Sequence, residues 1–418
     1  MRIFFIFCQR VMRKLWWWWC VLIAAPCTFC LLLLFPFYKI RLIALFSDRI
    51  GHYALNTELF LCHLNERKLL DNGVKYIFYT RVAPICNSQL HRMWKRKIVI
   101  LPFCRVLGFT DRWMNAVLGK HYKPKSLRTF HGACGPDVDG HLFKYAPHLD
   151  FCKQEHAHAN AQLAQLGIPK GAKYVCIVAR DSAYLNAKFP GKDWSYHNIR
   201  DCDIDNFSKA ALFLAQKGYY VIRMGKTVEK PFGIFHERII DYATQPLRSD
   251  FLDIYLLANC TFCISSSLGL DAVPQIFRRP IALVNVAPLN NQLASWYPHL
   301  FFITKKIFDN KKNRFLSLKE IGETMQGLGG WYTEKNGPLE WRFAENTPEE
   351  LLQITIQMEE TVRLHDRQDS NLFHSILLKH EAFARCFVQG YDVIGTAIEK
   401  FYIQIGQQFF SDNRFLFS

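Results

Sequence analysis

The segment Asp205–Gly225, DNFSKAALFLAQKGYYVIRMG, contains the pattern that decides the fold. Its first half has apolar residues at helical spacing, and Asp205 is suited to cap the helix that they predict. The expected core-facing residues of this helix are Phe207, Ala210, Ala211 and Leu214. Gly218 suits the left-handed position that ends a helix. The apolar run Tyr219–Met224 follows at once and predicts a buried strand.

The alternation of helix and strand continues on both sides of this segment. The further predicted strands are Tyr174–Ala179, Ile239–Ile240, Phe262–Ser265 and Ile281–Asn285. The further predicted helices are Phe251–Ala258 and Leu268–Phe277. Strands that alternate with helices through short connections predict a parallel, doubly wound sheet.

A similar but weaker pattern precedes this region. Strands are predicted at Tyr76–Tyr79 and Ile98–Leu101, after a helix with Leu55, Leu59 and Cys62 on one face. We therefore expect an α/β chain with a first α/β domain at 45–165 and a ligand-binding domain at 166–346. Residues 347–418 are expected to add C-terminal helices, one of them at Leu372–Val388, and a tail.

The N-terminal segment 1–44 is predicted to be a membrane anchor. Leu15–Tyr38 contains no charged residue, and 24 residues could span the bilayer core as a helix. Trp16–Trp19 suit the interface between membrane and water. Pro26 and Pro36 are expected to kink or end the helix, so a monotopic anchor is an alternative to a full span. A buried core helix is the third interpretation.

Composition limits the classes of partner. The chain has 52 basic and 36 acidic side chains and a net charge of +16, which favours anionic ligands or membrane surfaces. Nucleic acid is not expected, because no recognition motif accompanies the charge. The 14 cysteines form no disulfide framework and suit a cytosolic domain with reduced thiols.

Ligands of parallel sheets bind outside the carboxyl ends of the strands, which selects a few candidate residues. Ser265–Gly269 follows a strand and opens a helix, so its hydroxyl and N–H groups could hold a diphosphate; helix capping is the alternative. Arg223 ends another strand, with Gly225 close behind, and could pair with phosphate or form a surface ion pair. Arg180 and Asp181 follow the end of the strand Tyr174–Ala179 in the same way and are candidates too.

Metal-binding patterns are weak. Asp201-Cys202-Asp203 is a DxD motif, but it lies at a helix start, where aspartates serve as caps. The histidines of residues 121–158 match no standard metal spacing. We therefore predict neither a metal nor a cofactor.

Several stretches resemble a family of bacterial glycosyltransferases that are met in surface-polysaccharide gene clusters and have a GT-B-like fold. The stretches that carry the resemblance are RIGHYALNTELFL (49–61), ARDSAYL (179–185), residues 196–225, IIDYA (239–243), residues 248–274, RPIALVNVAPL (279–289) and ENTPEELL (345–352). Residues 196–225 and 248–274 are specific as a set.

The resemblance implies two Rossmann-like domains that face a cleft, with the acceptor held by the first domain, 45–165, and the sugar nucleotide by the second, 166–346. It suggests four residues near the diphosphate of a nucleotide-sugar donor: Arg180, Arg223, Ser266 and Ser267. Asp271 would approach the sugar or fix the loop. His52 would act as the catalytic base toward the acceptor, since a histidine suits that task near neutral pH; a structural histidine is the alternative. Such enzymes usually need no metal.

The resulting functional prediction is a membrane-associated glycosyltransferase of surface polysaccharide synthesis. It would move a sugar from a nucleotide-sugar donor to a glycan or lipid-linked acceptor, at a bacterial cell membrane with its catalytic domains in the cytoplasm. Transfer of a glycerophosphate or another phosphoryl-linked group is one alternative. A non-catalytic scaffold of a polysaccharide assembly complex is the other.

Overall fold

The computed structural model describes residues 2–67, 73–81, 84–123, 137, 140–287, 300–327, 340–366 and 404–417. The chain divides into two compact units, Met1–Gly135 and Pro136–Ser418. Their boundary precedes the predicted one at 165/166, so the helix Lys153–Gln165 belongs to the second unit.

The first unit contains a parallel sheet of three described strands in the order β1-β2-β3. Its elements are α1 (Arg2–Leu34), β1 (Lys39–Leu45), a π-helix (His52–Asn56), α2 (Thr57–Arg67), β2 (Val74–Thr80), α3 (Ser88–Lys97), β3 (Ile100–Leu101) and α4 (Cys104–Leu118). Strands β2 and β3 were predicted, whereas β1 was not. The predicted anchor, 1–44, contains most of this strand.

Helix α1 is a single apolar helix that packs on α4. Its segment Val11–Leu34 has a mean hydropathy of 2.0 and, by length and composition only, could cross a membrane. Pro26 was expected to kink or end the helix. It does not end the helix, which continues to Leu34. Cys20 and Ala24 are buried against Phe109 of α4.

The second unit is built on a seven-stranded sheet. The elements that form or flank it are α5 (His141–Lys144), α6 (Lys153–Gln165), β4 (Tyr174–Val178), α7 (Ala183–Lys188), α8 (Ser208–Gln216), β5 (Tyr220–Arg223), β6 (Ile239–Ile240), α9 (Asp250–Asn259), β7 (Cys263–Ser265), α10 (Ala272–Ile276), β8 (Ile281–Val286) and β9 (Leu300–Thr304). All of the predicted strands of this region are confirmed.

The remaining elements of this unit follow β9 in the chain. They are β10 (Lys306–Asp309), β11 (Arg314–Phe315), α11 (Leu318–Gly327), β12 (Trp341–Ala344), α12 (Pro348–Asp366), β13 (Gln404–Ile405) and α13 (Gln407–Asp412). Strands β10, β11 and β12 form a small antiparallel sheet, and β13 adds an edge strand beside β9. The predicted helix Leu372–Val388 lies outside the described residues.

The strand order of the large sheet is β13-β9-β8-β7-β4-β5-β6, and all of its pairs are parallel. From β4 the chain first builds toward β5 and β6, and then continues on the other side with β7, β8 and β9. The order therefore reverses between β4 and β7. In doubly wound sheets this reversal opens a crevice at the carboxyl ends of the two strands, where ligands bind.

The segment Asp205–Gly225 folds largely as its sequence predicts. All four expected core-facing residues of α8 and of the turn before it are fully buried. Gly218 ends the helix with a φ of +92°, in the left-handed region that favours glycine. The cap differs from the prediction: the Asp203 carboxylate, not that of Asp205, accepts a hydrogen bond from the first turn, at 2.9 Å from the Asp205 nitrogen.

Candidate functional site

The carboxyl ends of β4 and β7 are joined by one hydrogen bond at the reversal of the strand order. The register pairs Val178 with Ser265, and the next residues of both strands meet. The backbone N–H of Arg180 donates to the Ser266 hydroxyl at 2.8 Å. The Arg180 carbonyl accepts from the backbone N–H of Cys202 at 3.0 Å. Two predicted donor-site residues, Arg180 and Ser266, are thus held together where the topology expects a ligand.

The serine turn after β7 is held by Asp271. The Asp271 carboxylate accepts hydrogen bonds from the Ser265 hydroxyl at 3.1 Å and from the Leu268 N–H at 3.0 Å. Asp271 is buried, and Ser267 adopts a φ of +59°. These contacts match the loop-fixing role stated above for Asp271. The turn leads into a 3-10 helix, Gly269–Asp271, and then the short α10, instead of the single helix Leu268–Phe277 that was predicted.

Three basic side chains converge on Asp201 beside this turn. Nε of Arg180 lies 3.0 Å from a carboxylate oxygen of Asp201. Nζ of Lys305 donates to the Asp201 carbonyl oxygen at 2.5 Å, and the guanidinium of Arg200 donates to the Ser267 carbonyl oxygen. Charges on all three side chains act on the Asp201 carboxyl. The carboxylates of Asp181 and Glu345 also act on this cluster, so the three cations face three acidic groups. Guanidinium and ammonium groups bind phosphate oxygens, so a phosphate-bearing ligand could pair with them in competition with these carboxylates.

Burial shifts the pKa values of two groups in this cluster, Asp201 and Lys305. Desolvation raises the pKa of Asp201 to about 6, and the nearby Asp181 adds to the rise, although Arg180 opposes it. Burial also lowers the pKa of Lys305, which is 5% exposed. Nη2 of Arg180 is buried and has no hydrogen-bond partner among the described residues. A buried donor without a partner is costly, so this nitrogen is a ready contact for an anion.

Lys305 and Arg200 were not singled out by the sequence analysis. Lys305 directly follows β9, so it occupies the carboxyl end of a parallel strand in the same way as Arg180 and Arg223. The apolar run LFFIT at 300–304 could have indicated that strand. No signal of this kind marks Arg200, which ends a 3-10 helix, Ser195–Arg200.

The two carboxylates of the DxD motif have separate partners. Asp201 pairs with Arg180, whereas Asp203 caps the turn before α8 and lies 2.6 Å from Nζ of Lys230. The capping role favoured by the sequence is therefore confirmed for Asp203.

Arg223 lies at the end of β5 as predicted, and two of its three guanidinium nitrogens are occupied, whereas Nε has no hydrogen-bond partner among the described residues. The side chain is 1% exposed, with Nη1 at 3.0 Å from Asp241 and Nη2 at 3.2 Å from the Lys230 carbonyl oxygen. A phosphate could replace Asp241 only if this buried pair opened. The arrangement favours the ion-pair alternative, in a buried rather than a surface form, and phosphate contact by Arg223 stays a prediction.

Asp181 and Gly225 occupy structural positions beside the cluster. The Asp181 carboxylate accepts from the Ala183 N–H at 3.1 Å and from the Glu229 N–H at 3.0 Å, which ties two loops together. A Cβ atom on Gly225 would lie 2.5 Å from a methyl carbon of Val228, so the turn after β5 has no room for a side chain there. Their roles toward a donor remain predictions.

His52 lies in the first unit, where the π-helix begins. Its Nδ1 is 3.5 Å from the amide nitrogen of Asn56, and its ring packs near Phe46. Burial lowers the pKa of His52, and the charges of Arg49 and Arg81 lower it further. The ring is therefore mainly neutral at pH 7 and able to accept a proton. π-Helical turns are rare and are frequently found at functional sites.

Comparison with known proteins gives structural likenesses only. No family model matches the chain, and no curated protein matches it. Among solved structures, it is similar to a glycosyl transferase of family 9 from Veillonella parvula, at 11% identity and a TM-score of 0.39, over 78% of this chain and 98% of that one. It is similar to ADP-heptose LPS heptosyltransferase II of E. coli, at 12% identity and a TM-score of 0.40, over 76% and 99%. The E. coli heptosyltransferase WaaC with ADP is similar at 14% identity and a TM-score of 0.30, over 64% and 91%. Since these TM-scores are below 0.5, the likenesses assign neither a family nor an activity.

Proposed function

We propose that this chain is a glycosyltransferase that binds a nucleotide-sugar donor at the carboxyl ends of β4 and β7. The observation that carries the proposal is the hydrogen bond between Arg180 and Ser266 at the reversal of the strand order, with Arg200 and Lys305 beside it. A crevice at such a reversal binds ligands in doubly wound sheets, and this one contains three basic side chains. The sugar is inferred from the sequence resemblance.

The cluster supplies what departure of a nucleoside diphosphate requires. When the bond between the sugar and the diphosphate breaks, negative charge builds up on the diphosphate oxygens. Positioned cations stabilise that charge more than they stabilise the intact donor, which lowers the barrier. In the proposed mechanism Arg180 and Lys305 contact the diphosphate and Ser266 holds the Arg180 backbone in place, so no metal is invoked.

On the acceptor side we propose His52 as the base. Its neutral imidazole would take the proton from an acceptor hydroxyl while that oxygen attacks the sugar. The acceptor is proposed to be a glycan or a lipid-linked glycan of surface polysaccharide synthesis, at the cytoplasmic face of a bacterial cell membrane. The apolar helix α1 would hold the chain at that membrane.

Nucleotide binding tests the donor site directly. The melting temperature of the full chain is measured with millimolar UDP, GDP, CMP or ADP. One of these nucleotides is expected to raise it, and Arg180→Ala is expected to abolish the rise. The control is Arg238→Ala, which removes a half-exposed arginine paired with its sequence neighbour Glu237. Absence of any rise, or an unchanged rise in Arg180→Ala, would contradict the proposed site.

Product mass separates the proposed reaction from the two alternatives. After incubation with a donor that binds and a lipid-linked acceptor, sugar transfer adds the mass of a glycosyl residue. A mass increase that includes phosphorus would indicate transfer of a phosphoryl-linked group. A chain that binds nucleotide but gives no product with any donor and acceptor offered would favour the scaffold.

A further inference from the structure

Helices α1 and α4 form one layer on the outside of the first unit. Cys20 and Ala24 of α1 are buried against Phe109 of α4, and the ring of Trp17 meets the Phe109 ring edge-on with centroids 5.5 Å apart. The buried Thr28 continues the same helical face one turn further along. We call these two helices the α1–α4 layer.

The opposite face of α1 is apolar and exposed. Six residues form this face at helical spacing: Val11, Leu15, Trp18, Leu22, Phe29 and Leu33. Leu22 is 68% exposed and Phe29 is 63% exposed. Single exposed apolar residues are ordinary on a protein surface, but a stripe along two thirds of a long helix marks an interaction surface.

Basic side chains are exposed on both helices of the layer. Arg13 and Lys14 lie exposed at one end of the apolar stretch, and Arg112 and Lys120 are exposed on and just after α4. The one acidic residue of segments 11–39 and 102–123 is Asp111, which is buried. A layer with an exposed apolar face, exposed basic residues and no exposed acid in these segments is complementary to a membrane surface rich in anionic lipid.

The contacts of Asp111 show that the layer is part of the folded unit. Its carboxylate accepts from Nζ of Lys123 at 2.6 Å, from the Tyr79 hydroxyl at 2.9 Å and from the Tyr122 hydroxyl at 2.9 Å. The Tyr122 hydroxyl in turn accepts from the backbone N–H of Leu42 in β1 at 2.9 Å. Helix α4 is therefore tied to strands β1 and β2, and it cannot move into a membrane without them.

This packing is incompatible with α1 as a membrane-crossing helix. The middle of the 24-residue apolar stretch lies near Leu22, and Cys20 and Ala24 on either side of it contact α4. If that middle lay at the centre of a bilayer, the charged residues Asp111 and Arg112 would lie in or close to the hydrocarbon. Charged groups there are expensive, and the ends of the sheet behind α4 would also lose their contact with water.

We propose that the α1–α4 layer docks on an anionic bilayer as a monotopic surface, with α1 in the plane of the interface. The apolar stripe enters the boundary between headgroups and acyl chains, and exposed arginines and lysines of the layer contact lipid phosphates. This inference rests on the membrane association included in the proposed function. It adds the mode of attachment, the lipid charge and the residues responsible.

The test uses the full chain, synthesised in a cell-free system with preformed vesicles. One set of vesicles is phosphatidylcholine alone, and the other contains phosphatidylglycerol as well. Flotation measures binding, and a protease added outside the sealed vesicles tests access to an N-terminal epitope tag. The protein is expected to float with the anionic vesicles, far less with the neutral ones, and to keep its tag accessible.

Matched variants locate the surface. Arg112→Gln with Lys120→Gln is expected to lower the partition coefficient on the order of twentyfold, because each basic residue near an anionic surface contributes about fivefold. Lys170→Gln with Lys217→Gln removes two exposed lysines of the second unit and is expected to leave flotation unchanged. Leu22→Glu with Phe29→Glu is expected to abolish flotation without unfolding, because both side chains are exposed.

A protease-protected tag would overturn the proposal in favour of a membrane span. So would a chain that does not float and instead dimerises through α1. Equal flotation with both kinds of vesicle would refute the part assigned to anionic lipid. Nucleotide binding by the same preparations keeps the two proposals separate. A chain that binds nucleotide but does not float loses only the docking surface, and one that floats without binding nucleotide loses only the donor site.

Discussion

The backbone N–H of Arg180 donates to the side-chain hydroxyl of Ser266 across the reversal of the strand order, at 2.8 Å. This bond joins residues that are 86 positions apart in the chain. It fixes the direction in which β4 continues, and with it the position from which the Arg180 guanidinium reaches Asp201. The geometry of the cationic cluster therefore depends on a hydroxyl that carries no charge.

Replacement of that hydroxyl should weaken the cluster. Ser266 is fully buried, so Ser266→Ala leaves the Arg180 N–H without its partner. We expect a loss of about 1–3 kcal/mol in the free energy of unfolding, the usual result of an unsatisfied buried donor. Nucleotide affinity, measured by calorimetry below the melting transition, should fall as well.

Ser208→Ala is the matched control for this variant. The Ser208 hydroxyl donates to the Asp205 carbonyl oxygen in the turn before α8, outside the cluster. It should cost less stability and leave nucleotide affinity unchanged. Equal affinities in both variants would show that the bond between Arg180 and Ser266 does not position the ligand site.

We expect Arg223 to contribute to the stability of the fold through its ion pair with Asp241, whether or not it also contacts a ligand. Removal of its guanidinium leaves the Asp241 carboxylate in a largely buried place, and loss of one partner of a buried ion pair costs about 3 kcal/mol or more. Denaturant unfolding of Arg223→Ala should show this loss. The double variant Arg223→Met with Asp241→Asn removes both charges and should recover much of it.

The same variants separate stability from binding. If Arg223 acts only through the fold, the double variant should bind nucleotide about as tightly as the unchanged chain. A double variant that regains stability and still fails to bind would instead place the Arg223 guanidinium on the donor, as the sequence resemblance suggests.

The pattern of apolar residues was sufficient to predict strands β4 to β8 of the large sheet, but not β9 or the short helices after β7. Parallel strands buried on both faces are short apolar runs, as in YVCIV of β4 and IALVNV of β8. Their carboxyl ends could then be located, which selected Arg180 and the serine turn. Strand β1 could not be recognised in this way, because Lys39 and Arg41 interrupt its apolar pattern.

Pairing between side chains could not be predicted from the sequence. Arg223 and Asp241 are joined only because the loops that follow β5 and β6 meet, and no local pattern encodes that contact. Lys305 reaches Asp201 across 104 residues of chain. A charge at a strand end could therefore be recognised as a candidate, but its partner depends on the folded arrangement of several loops.

The free energy of unfolding should depend on pH through the titration of Asp201. Its pKa is raised to about 6 in the folded chain by burial, whereas an unfolded aspartate titrates near 3.9. The folded state therefore binds this proton more tightly than the unfolded state does. The resulting stabilisation is fully present below about pH 3.9 and is lost as the pH rises through about 6.

Asp201→Asn isolates this contribution because asparagine resembles the protonated carboxyl. The difference in unfolding free energy between the two chains should change between pH 4 and pH 7, with the unchanged chain losing stability relative to the variant as the pH rises. Asp412→Asn, at an exposed position near the C-terminus, is the control and should show no such change near pH 6. A difference that is constant over this range would show that Asp201 titrates normally.

Loss of the His52 imidazole should reduce turnover without reducing nucleotide affinity. A general base typically contributes 10²–10⁴-fold, so His52→Gln should lower kcat by about that factor if His52 removes the acceptor proton. Burial lowers the pKa of His52 below its ordinary value of 6.5. The acid limb of the pH profile of kcat/KM should therefore lie below pH 6.5 and should disappear in the variant.

His121→Gln, at an exposed histidine of the same unit, is the control for general effects of the substitution. A structural histidine would instead give a lower melting temperature, an unchanged acid limb and a kcat that recovers on cooling, and that result would remove His52 from the mechanism.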